Sequence, residues 1–333
     1  MTERLNFVLP KVTGYTWRAA RRDDAEALHR LLLDIEAVDQ RGWVSTLDER
    51  RRDFDDPATS YETDTLLAIN SEGEVTAMGW VFAPPEGEEY YSAYLWGEVH
   101  PAQRNRGLGE LILTWMEARG RKILTTRPAG LPRYLRGSCQ DQEIDRIALY
   151  EQHGFQPVRS AYRMRCDLTQ PIPEGQLPDG LTLSQWTPEL DQAVMEACNE
   201  AFRDHWGFIP ISLEAWKLWF TGNPNFRPDL TFIALDGNEV AGLSLNQVRE
   251  EENAETGIQE GWIQELAVRQ PWRKRGIATA LLCTSLQAFK QVGLAYAGLG
   301  VDTENLTGAL RIYERLGFVA IKRSITFSKT VME

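Results

Sequence analysis

Two stretches of sequence decide the fold: YLWGEVHPAQRNRGLGELILTWMEA at residues 94–118 and GWIQELAVRQPWRKRGIATALLCTSLQAF at residues 261–289. Each has the pattern of an apolar strand, a short basic turn with glycine, and a long amphipathic helix. A valine precedes each turn by five residues, Val99 in one stretch and Val268 in the other. The turns themselves are Arg104-Asn105-Arg106-Gly107-Leu108-Gly109 and Arg273-Lys274-Arg275-Gly276-Ile277-Ala278.

Both turns have the chemistry of a phosphate site. Small residues let the backbone approach a ligand closely, and the free N–H groups at the start of a helix point at an anion. The flanking arginines and lysine add positive charge. Neither turn is a Walker A loop, because no Gly-Lys-Ser/Thr follows, and neither is the dinucleotide fingerprint, whose early glycines are replaced by arginines.

The repeat extends outward from the turns on both sides. Each half begins with a short strand and a helix, continues with a hairpin whose turn lies at residues 71–73 or 236–238, and closes with a helix that ends in Gly-Phe and one more apolar strand. This order predicts an α+β fold, used twice. The stretch PIPEGQLPDG at residues 171–180 breaks secondary structure. We therefore expect an N-terminal module at 1–170, a linker at 171–180 and a C-terminal module at 181–333.

Length and charge set the broad class of protein. The chain has 333 residues, about two domains, and its 36 basic and 48 acidic residues give a net charge of −12. Such a charge speaks against nucleic acid or an anionic membrane as a partner, although a local basic turn can still bind a small phosphate compound. The four cysteines lack CxxC spacing, and the scattered histidines form no metal-binding pattern with them. With no apolar targeting or membrane segment in the sequence, we expect a cytoplasmic protein.

These motifs resemble the GNAT superfamily of acetyl-CoA-dependent N-acetyltransferases. The signature of that family is Arg/Gln-x-x-Gly-x-Gly/Ala at a strand-to-helix turn, and both turns match it. Its second hallmark, Asn…Tyr…Gly-Phe, appears as Asn305, Tyr313 and Gly317-Phe318. The first half keeps Tyr150 and Gly154-Phe155. An insertion-like stretch at residues 131–145 stands where the second half has the asparagine-containing segment that leads into the closing helix.

The resemblance implies two tandem copies of the GNAT fold, each a mixed and mostly antiparallel sheet flanked by helices. It also implies a coenzyme site in each half and acetyl-CoA as the co-substrate, without a metal. The coenzyme would be held in the second half by Leu266, Ala267 and Val268 of the strand, by residues 273–278 of the turn and by Asn305; in the first half it would be held by Val99 and residues 104–109. Tyr313 matches the tyrosine that commonly protonates the leaving thiolate in the family. A helical segment at residues 201–220, rich in aromatic residues, would cover the acceptor.

Glu265 is the best candidate for the general base. It shares a strand face with Ala267 by alternation, so it can face the acceptor, and an amine must lose a proton before it attacks. The alternatives are a water relay in place of this carboxylate, or a role for it as a solvated edge residue. The matching residue in the first half is Trp96, which cannot accept a proton, while Glu98 nearby stays open as a candidate.

The second half therefore keeps more of the candidate catalytic and coenzyme-binding residues. In this it resembles tandem GNAT proteins whose C-terminal module is the active one. We expect transfer of acetyl to the primary amine of a small molecule. A protein or peptide N-acetyltransferase and a non-catalytic acyl-CoA-binding regulator are the alternatives. The chain is expected to be a monomer or a homodimer, and its N-terminal module to bind coenzyme A or serve structurally.

Overall fold

The computed structural model describes residues 12–42, 45–56, 59–84, 87, 89–304 and 308–331. The chain forms two compact units. The first contains the residues up to Arg159 together with those from Ser324 onward, and the second contains Ser160–Arg323.

The first unit is a mixed sheet flanked by helices. Its strands lie in the order β1-β2-β3-β4-β5, and a final strand, β12 (Phe318–Thr330), pairs with β5. The neighbours are antiparallel except for β4 and β5, which run parallel. The elements are β1 Tyr15–Arg18, α1 Ala25–Asp39, α2 Leu47–Asp53, α3 Tyr61–Asp64, β2 Thr65–Asn70, β3 Val75–Phe82, β4 Tyr91–Val99, α4 Leu108–Thr125, β5 Arg133–Gln140 and α5 Ile144–Gln152.

The second unit repeats this design. Its sheet has the order β6-β11-β10-β9-β8-β7, with β10 and β11 as the parallel pair. The predicted α+β class and mixed sheet are thus confirmed in both units. The elements are β6 Gln156–Asp167, β7 Leu181–Gln185, α6 Asp191–Phe202, α7 Leu213–Trp216, β8 Phe232–Asp236, β9 Glu239–Val248, α8 Glu250–Thr256, β10 Glu260–Val268, α9 Ile277–Gln291, β11 Tyr296–Asp302, α10 Ala309–Arg315 and β12 Phe318–Thr330.

Two strands pass from one unit to the other. From Ala161 to Asp167, β6 pairs with β11 of the second unit. From Ser324 to Thr330, β12 pairs with β5 of the first unit. The compact units consequently divide inside these two strands instead of at the predicted linker. The prediction relied on proline and glycine content, which marks where regular structure breaks, whereas strand pairing decides which residues form one compact unit.

The structure corrects the interpretation of residues 131–145 as an insertion. This stretch contains β5, whose third residue Leu135 is completely buried in the core of the first unit. Only residues 141–143 connect β5 to α5. The segment looked like an insertion because the charged residues Arg133 and Arg136 interrupt the apolar pattern of the strand.

Each unit has its own apolar core. In the first unit Trp115 of α4 packs with Phe155 and Phe327, and in the second Phe289 of α9 packs with Phe318. All five side chains are almost completely inaccessible to solvent. No helix in the described ranges is both long and apolar enough to cross a membrane.

Candidate active site

The two basic turns have the same backbone geometry. Gly107 and Gly276 precede α4 and α9 with φ angles of 79° and 87°, and Asn105 and Lys274 are also left-handed, with φ of 60° and 62°. Within the described residues, the N–H groups of 105–109 and 274–278 donate to no backbone or side-chain acceptor. Both turns therefore present a row of free N–H groups beside cationic side chains, as an anion site requires.

The first arginine of each turn is bound to protein acceptors. Arg104 donates to the carbonyl of Val99 at 3.4 Å and to both carboxylate oxygens of Asp39 at 2.7 Å. Arg273 donates to the carbonyl of Val268 at 3.1 Å and to that of Ala201 at 2.7 Å. These arginines hold the turn in place.

The remaining cationic side chains of the turns are exposed and can contact a ligand. They are Arg106 in the first turn, and Lys274 and Arg275 in the second.

In the second unit, β10 and β11 open into a cleft. They pair from Glu260 opposite Tyr296 to Ile263 opposite Leu299, and pair no further. At the same point β10 has a β-bulge between Ile263 and Glu265 against β9. A bulge bends its strand and increases the twist, so it separates the end of β10 from β11. Leu266 and Val268 turn to the α9 side, where they pack against the core.

Glu265 lies at this cleft without a counter-ion. It is only partly exposed, and no other described residue forms a hydrogen bond or ion pair with it. Burial raises the pKa of Glu265 to about 8. The next residue on the same face, Ala267, packs with Cys198 of α6 in one apolar cluster. Glu265 is thus a carboxyl group that exchanges a proton near neutral pH, as a general base must.

Tyr313 of α10 lies close enough to Glu265 for the charge of the carboxylate to change the pKa of the tyrosine. Burial raises the pKa of Tyr313, and the negative charge of Glu265 raises it further. The tyrosine is 7% exposed and packs against Phe318 with ring centres 5.9 Å apart. The structure thus brings together Glu265, Tyr313 and the strand residues 266–268 of the second unit. Asn305, which was also predicted to bind the coenzyme, lies outside the described residues.

The corresponding place in the first unit is filled by charged side chains, here called the Glu98 cluster: Glu98, Arg41 and Arg146. Glu98 is 1% exposed and pairs with both arginines at 2.7 Å, while Trp96 donates to it at 3.0 Å. Burial works to raise the pKa of Glu98, yet Arg146 and Arg41 lower it to about 2. A carboxylate held in this way stays ionised and bound, so Glu98 is a poor proton acceptor.

The repeat shows what occupies these positions in the second unit. Counted from Val99 and Val268, Glu98 corresponds to Ala267. Counted from Tyr150 and Tyr313, Arg146 corresponds to Ala309. The first unit therefore has the ion pair Glu98–Arg146 at two positions where the second unit has alanine side chains.

The strand of the first unit also lacks the bulge: from Phe82 to Ala77, β3 pairs with β4 in unbroken register. Sequence reasoning missed both differences, although the exchange of Glu and Arg for two alanines was visible in the repeat.

Tyr150 occupies the closing helix of the first unit as Tyr313 does in the second. It is 4% exposed, and burial raises its pKa to about 12. Its hydroxyl lies against β5, since a Cβ on Gly137 would come within 2.4 Å of it. Tyr150 therefore packs as a core residue. Among the described residues, no group of three or more His, Cys, Asp or Glu side chains could hold a metal ion.

Comparison with known proteins agrees with this geometry. The model of the acetyltransferase (GNAT) family matches residues 27–155 and again 191–318. A mycothiol acetyltransferase of Thermobispora bispora is 29% identical over 243 residues, which cover 71% of this chain and 72% of that protein. A second, from Salinispora tropica, is 30% identical over 228 residues, 66% of this chain and 67% of that one.

Two solved structures extend the likeness to nearly the whole chain. The GCN5-related N-acetyltransferase from Sphaerobacter thermophilus has a TM-score of 0.74 and 28% identity and covers 97% of this chain and 98% of its own. The tandem GNAT protein from the clavulanic acid biosynthesis pathway, at 15% identity, has the same fold, with a TM-score of 0.69 and coverage of 96% and 99%. The chain therefore belongs to the acetyltransferase (GNAT) family and is an N-acetyltransferase built from two copies of the GNAT fold.

Proposed function

We propose that the protein transfers an acetyl group from acetyl-CoA to the primary amine of a small molecule, and that the C-terminal unit performs the reaction. The observation that carries the proposal is the contrast between the two clefts. The second unit has an open, bulged cleft with a carboxyl group near neutral pKa, whereas the Glu98 cluster fills the same place in the first unit.

Glu265 and Tyr313 supply the two proton transfers that the reaction requires. A primary amine is mostly protonated at neutral pH, and Glu265 in its ionised form removes that proton, directly or through a water molecule. The amine nitrogen then attacks the thioester carbonyl, and the C–S bond breaks as the amide forms. The nitrogen releases its second proton in this step, and that proton restores the hydroxyl of Tyr313 after Tyr313 has protonated the sulfur. Tyr313 donates its hydroxyl proton to the departing sulfur, which is consistent with its raised pKa, since the hydroxyl stays protonated until a base appears.

The turn at residues 273–278 would bind the phosphates of the coenzyme. Its free N–H groups and the exposed Lys274 and Arg275 fit a pyrophosphate, because oriented N–H dipoles and cations together favour an anion. The turn at residues 104–109 has the same geometry and would bind a coenzyme phosphate in the N-terminal unit. There Glu98 is ion-paired to Arg41 and Arg146, so no unpaired carboxyl group would stand beside the reacting end of the molecule.

A small acceptor is favoured over a protein by the relatives, several of which are mycothiol acetyltransferases. The test is an acetyl-CoA consumption screen over simple amines, polyamines, aminoglycosides and amino-thiols, with product identified by mass. Amide formation with a small amine supports the proposal. Coenzyme A binding without transfer to any amine would overturn it and would favour the non-catalytic regulator. Transfer to peptides alone would show a protein acetyltransferase.

A further inference from the structure

Gln247 of β9 has a buried polar group without a partner. Its side chain belongs to a residue that is 2% exposed, yet its amide oxygen Oε1 accepts a hydrogen bond from no residue in the described ranges. A buried polar atom without a partner lowers stability, and most buried polar atoms in folded proteins are hydrogen-bonded. A ligand that completes the missing bond would explain this exception.

Gln247 lies on the same face of the sheet as Glu265. Leu245 of β9 is the direct cross-strand partner of Glu265, and Gln247 lies two residues further along β9. Residues two apart on a strand point the same way, and directly opposed residues share a face. Leu245 and Ala267 pack in one apolar cluster with α6, which identifies this face. Gln247 and Glu265 are therefore diagonal neighbours, with their Cα atoms about 7–8 Å apart.

This position lies on the side from which an acceptor would approach. In the proposed function the coenzyme phosphates lie at the turn that follows Val268, so the coenzyme occupies the end of β10 beyond Glu265. The acceptor then reaches Glu265 from the other direction, where Trp262 lies. Trp262 is the direct cross-strand partner of Gln247, so the Gln247 amide lies along this approach.

Aromatic rings flank the amide on both sides. Trp262 is the neighbour on β10, and its ring covers Gly298 of β11, where a Cβ would come within 2.6 Å of the ring. Phe226 is the neighbour on the other side, and its ring packs edge-on against Trp186 with centres 5.1 Å apart. Apolar walls with a few placed polar groups are typical of small-molecule pockets.

The adjacent amide, that of Asn246, has its partners within the protein. It lies on the opposite face of β9, against α9, and donates to the carbonyl of Leu230 at 2.5 Å and to Ser285 Oγ at 2.8 Å. Its oxygen accepts from Ser244 at 3.2 Å. Of these two buried amides, the one that faces the acceptor side is thus the one whose oxygen lacks a described partner.

We propose that the acceptor carries a neutral hydrogen-bond donor, a hydroxyl or an amide N–H, a few bonds from its amine, and that this group donates to Oε1 of Gln247 while the amine reaches Glu265. A charged second group is disfavoured, because the Gln247 amide supplies no counter-charge in this buried position. The inference rests on the proposed function and names its substrate class. It makes Gln247 a specificity-determining residue of the C-terminal unit.

The test compares amines of similar size that differ in this donor. Propanolamine is compared with butylamine, which lacks the oxygen, and with methoxypropylamine, whose oxygen accepts but cannot donate. β-Alaninamide is compared with its N,N-dimethyl form in the same way. For the full chain we expect the donor-bearing member of at least one set to have a kcat/KM about 10- to 100-fold higher, the effect of one hydrogen bond to a buried group. The set that shows the preference tells whether a hydroxyl or an amide is recognised.

Gln247→Met replaces the amide by an apolar side chain of similar length. It should abolish the preference, so that kcat/KM for the donor-bearing amine falls to that of its comparison amine. Because the substitution also removes a buried oxygen without a partner, the melting temperature without acceptor should equal or exceed that of wild type. A residue that serves the fold alone would give a lower melting temperature.

Asn246→Leu is the matched control, because it removes a buried amide of the same strand that bonds protein groups on the opposite face. It should lower the melting temperature and keep the preference. Three results would each overturn the inference and leave the proposed function standing: equal kcat/KM within every set, a preference that survives Gln247→Met, or a Gln247→Met variant as destabilised as Asn246→Leu. Absence of transfer to every amine in the wider screen would instead overturn the proposed function.

Discussion

At the scale of single residues, the two units give the same chemical group opposite properties. Glu265 and Glu98 both lie near the end of the central strand that precedes the coenzyme turn. Burial without a counter-ion raises the pKa of Glu265 to about 8, whereas two arginines lower that of Glu98 to about 2 against the effect of burial. What separates the two carboxyl groups is that Glu98 is paired with Arg41 and Arg146, whereas Glu265 has no counter-ion among the described residues.

The first prediction concerns Glu265→Gln. Since a protonated carboxyl cannot act as a base, wild-type kcat should rise with pH up to about 8 and then level off. The variant should lose about 10²- to 10⁴-fold in kcat and lack this limb of the profile, with the dissociation constant for coenzyme A unchanged. A variant with wild-type kcat and the same pH limb would assign the base to another group.

The same substitution should also change stability. The folded-state pKa of Glu265 lies above its ordinary value of 4.5, so the folded protein holds a proton that the unfolded chain releases. The ionised carboxyl therefore destabilises the fold increasingly as pH rises from 4.5 to about 8. We expect Glu265→Gln to melt above wild type at pH 9 and equal to it below the ordinary pKa of 4.5, as measured by calorimetry.

A second prediction separates the two tyrosines. Tyr313→Phe removes the hydroxyl that we propose as the proton donor, and it should lower kcat by about 10- to 100-fold with little effect on KM for acetyl-CoA. Tyr150→Phe is the matched control, because that hydroxyl packs against Gly137 in the filled unit. Its turnover should equal that of wild type. Equal losses in the two variants would show that these tyrosines serve packing in both units.

At the scale of elements, the strand–turn–helix stretches were readable from the sequence because their signals are local. Free N–H groups, left-handed residues and a helix start all follow from a few neighbouring residues. The bulge between Ile263 and Glu265 and the Glu98 cluster were not readable in this way. A bulge depends on the register against β9, and the partners of Glu98 come from residues 41 and 146, far along the chain.

The third prediction tests the turn as an element. Gly276 has a φ of 87° and open space around it, so Gly276→Val strains the backbone and places a side chain where the phosphate would approach. We expect KM for acetyl-CoA to rise at least about tenfold. Gly293→Val is the control, since Gly293 also has a φ of 87° with open space but follows the other end of α9. If both variants raise KM equally, backbone strain and not phosphate binding is responsible.

At the scale of the whole molecule, the repeat was visible in the sequence but the exchange of its closing strands was not. Both β6 and β12 have apolar patterns suited to either unit, and composition does not reveal which β-strand partner a strand selects. The boundary was therefore placed at the proline-rich stretch 171–180, while the compact units divide at residues 159–160 and 323–324.

The fourth prediction uses two phenylalanines on the same strand, β12. Phe327 is 1% exposed in the core of the first unit, where it stacks on Tyr150, and Phe318 is 2% exposed in the core of the second. Phe→Ala in a core costs about 3–5 kcal/mol. Phe327→Ala should therefore speed amide hydrogen exchange in β5, and Phe318→Ala in β11. Faster exchange in β11 alone after Phe327→Ala would contradict the exchange of strands.

The path of β12 has a consequence for how the protein is made. Ser324 pairs with Gln140, so the first unit gains its sixth strand only after residues 160–323, which form the second unit, have been synthesised. Until then β5 is an unprotected sheet edge, open to pairing with a second nascent chain. Cooperative folding of the first unit is thereby delayed until the second unit has been synthesised, and either half expressed as a fragment lacks the strand that completes its own sheet.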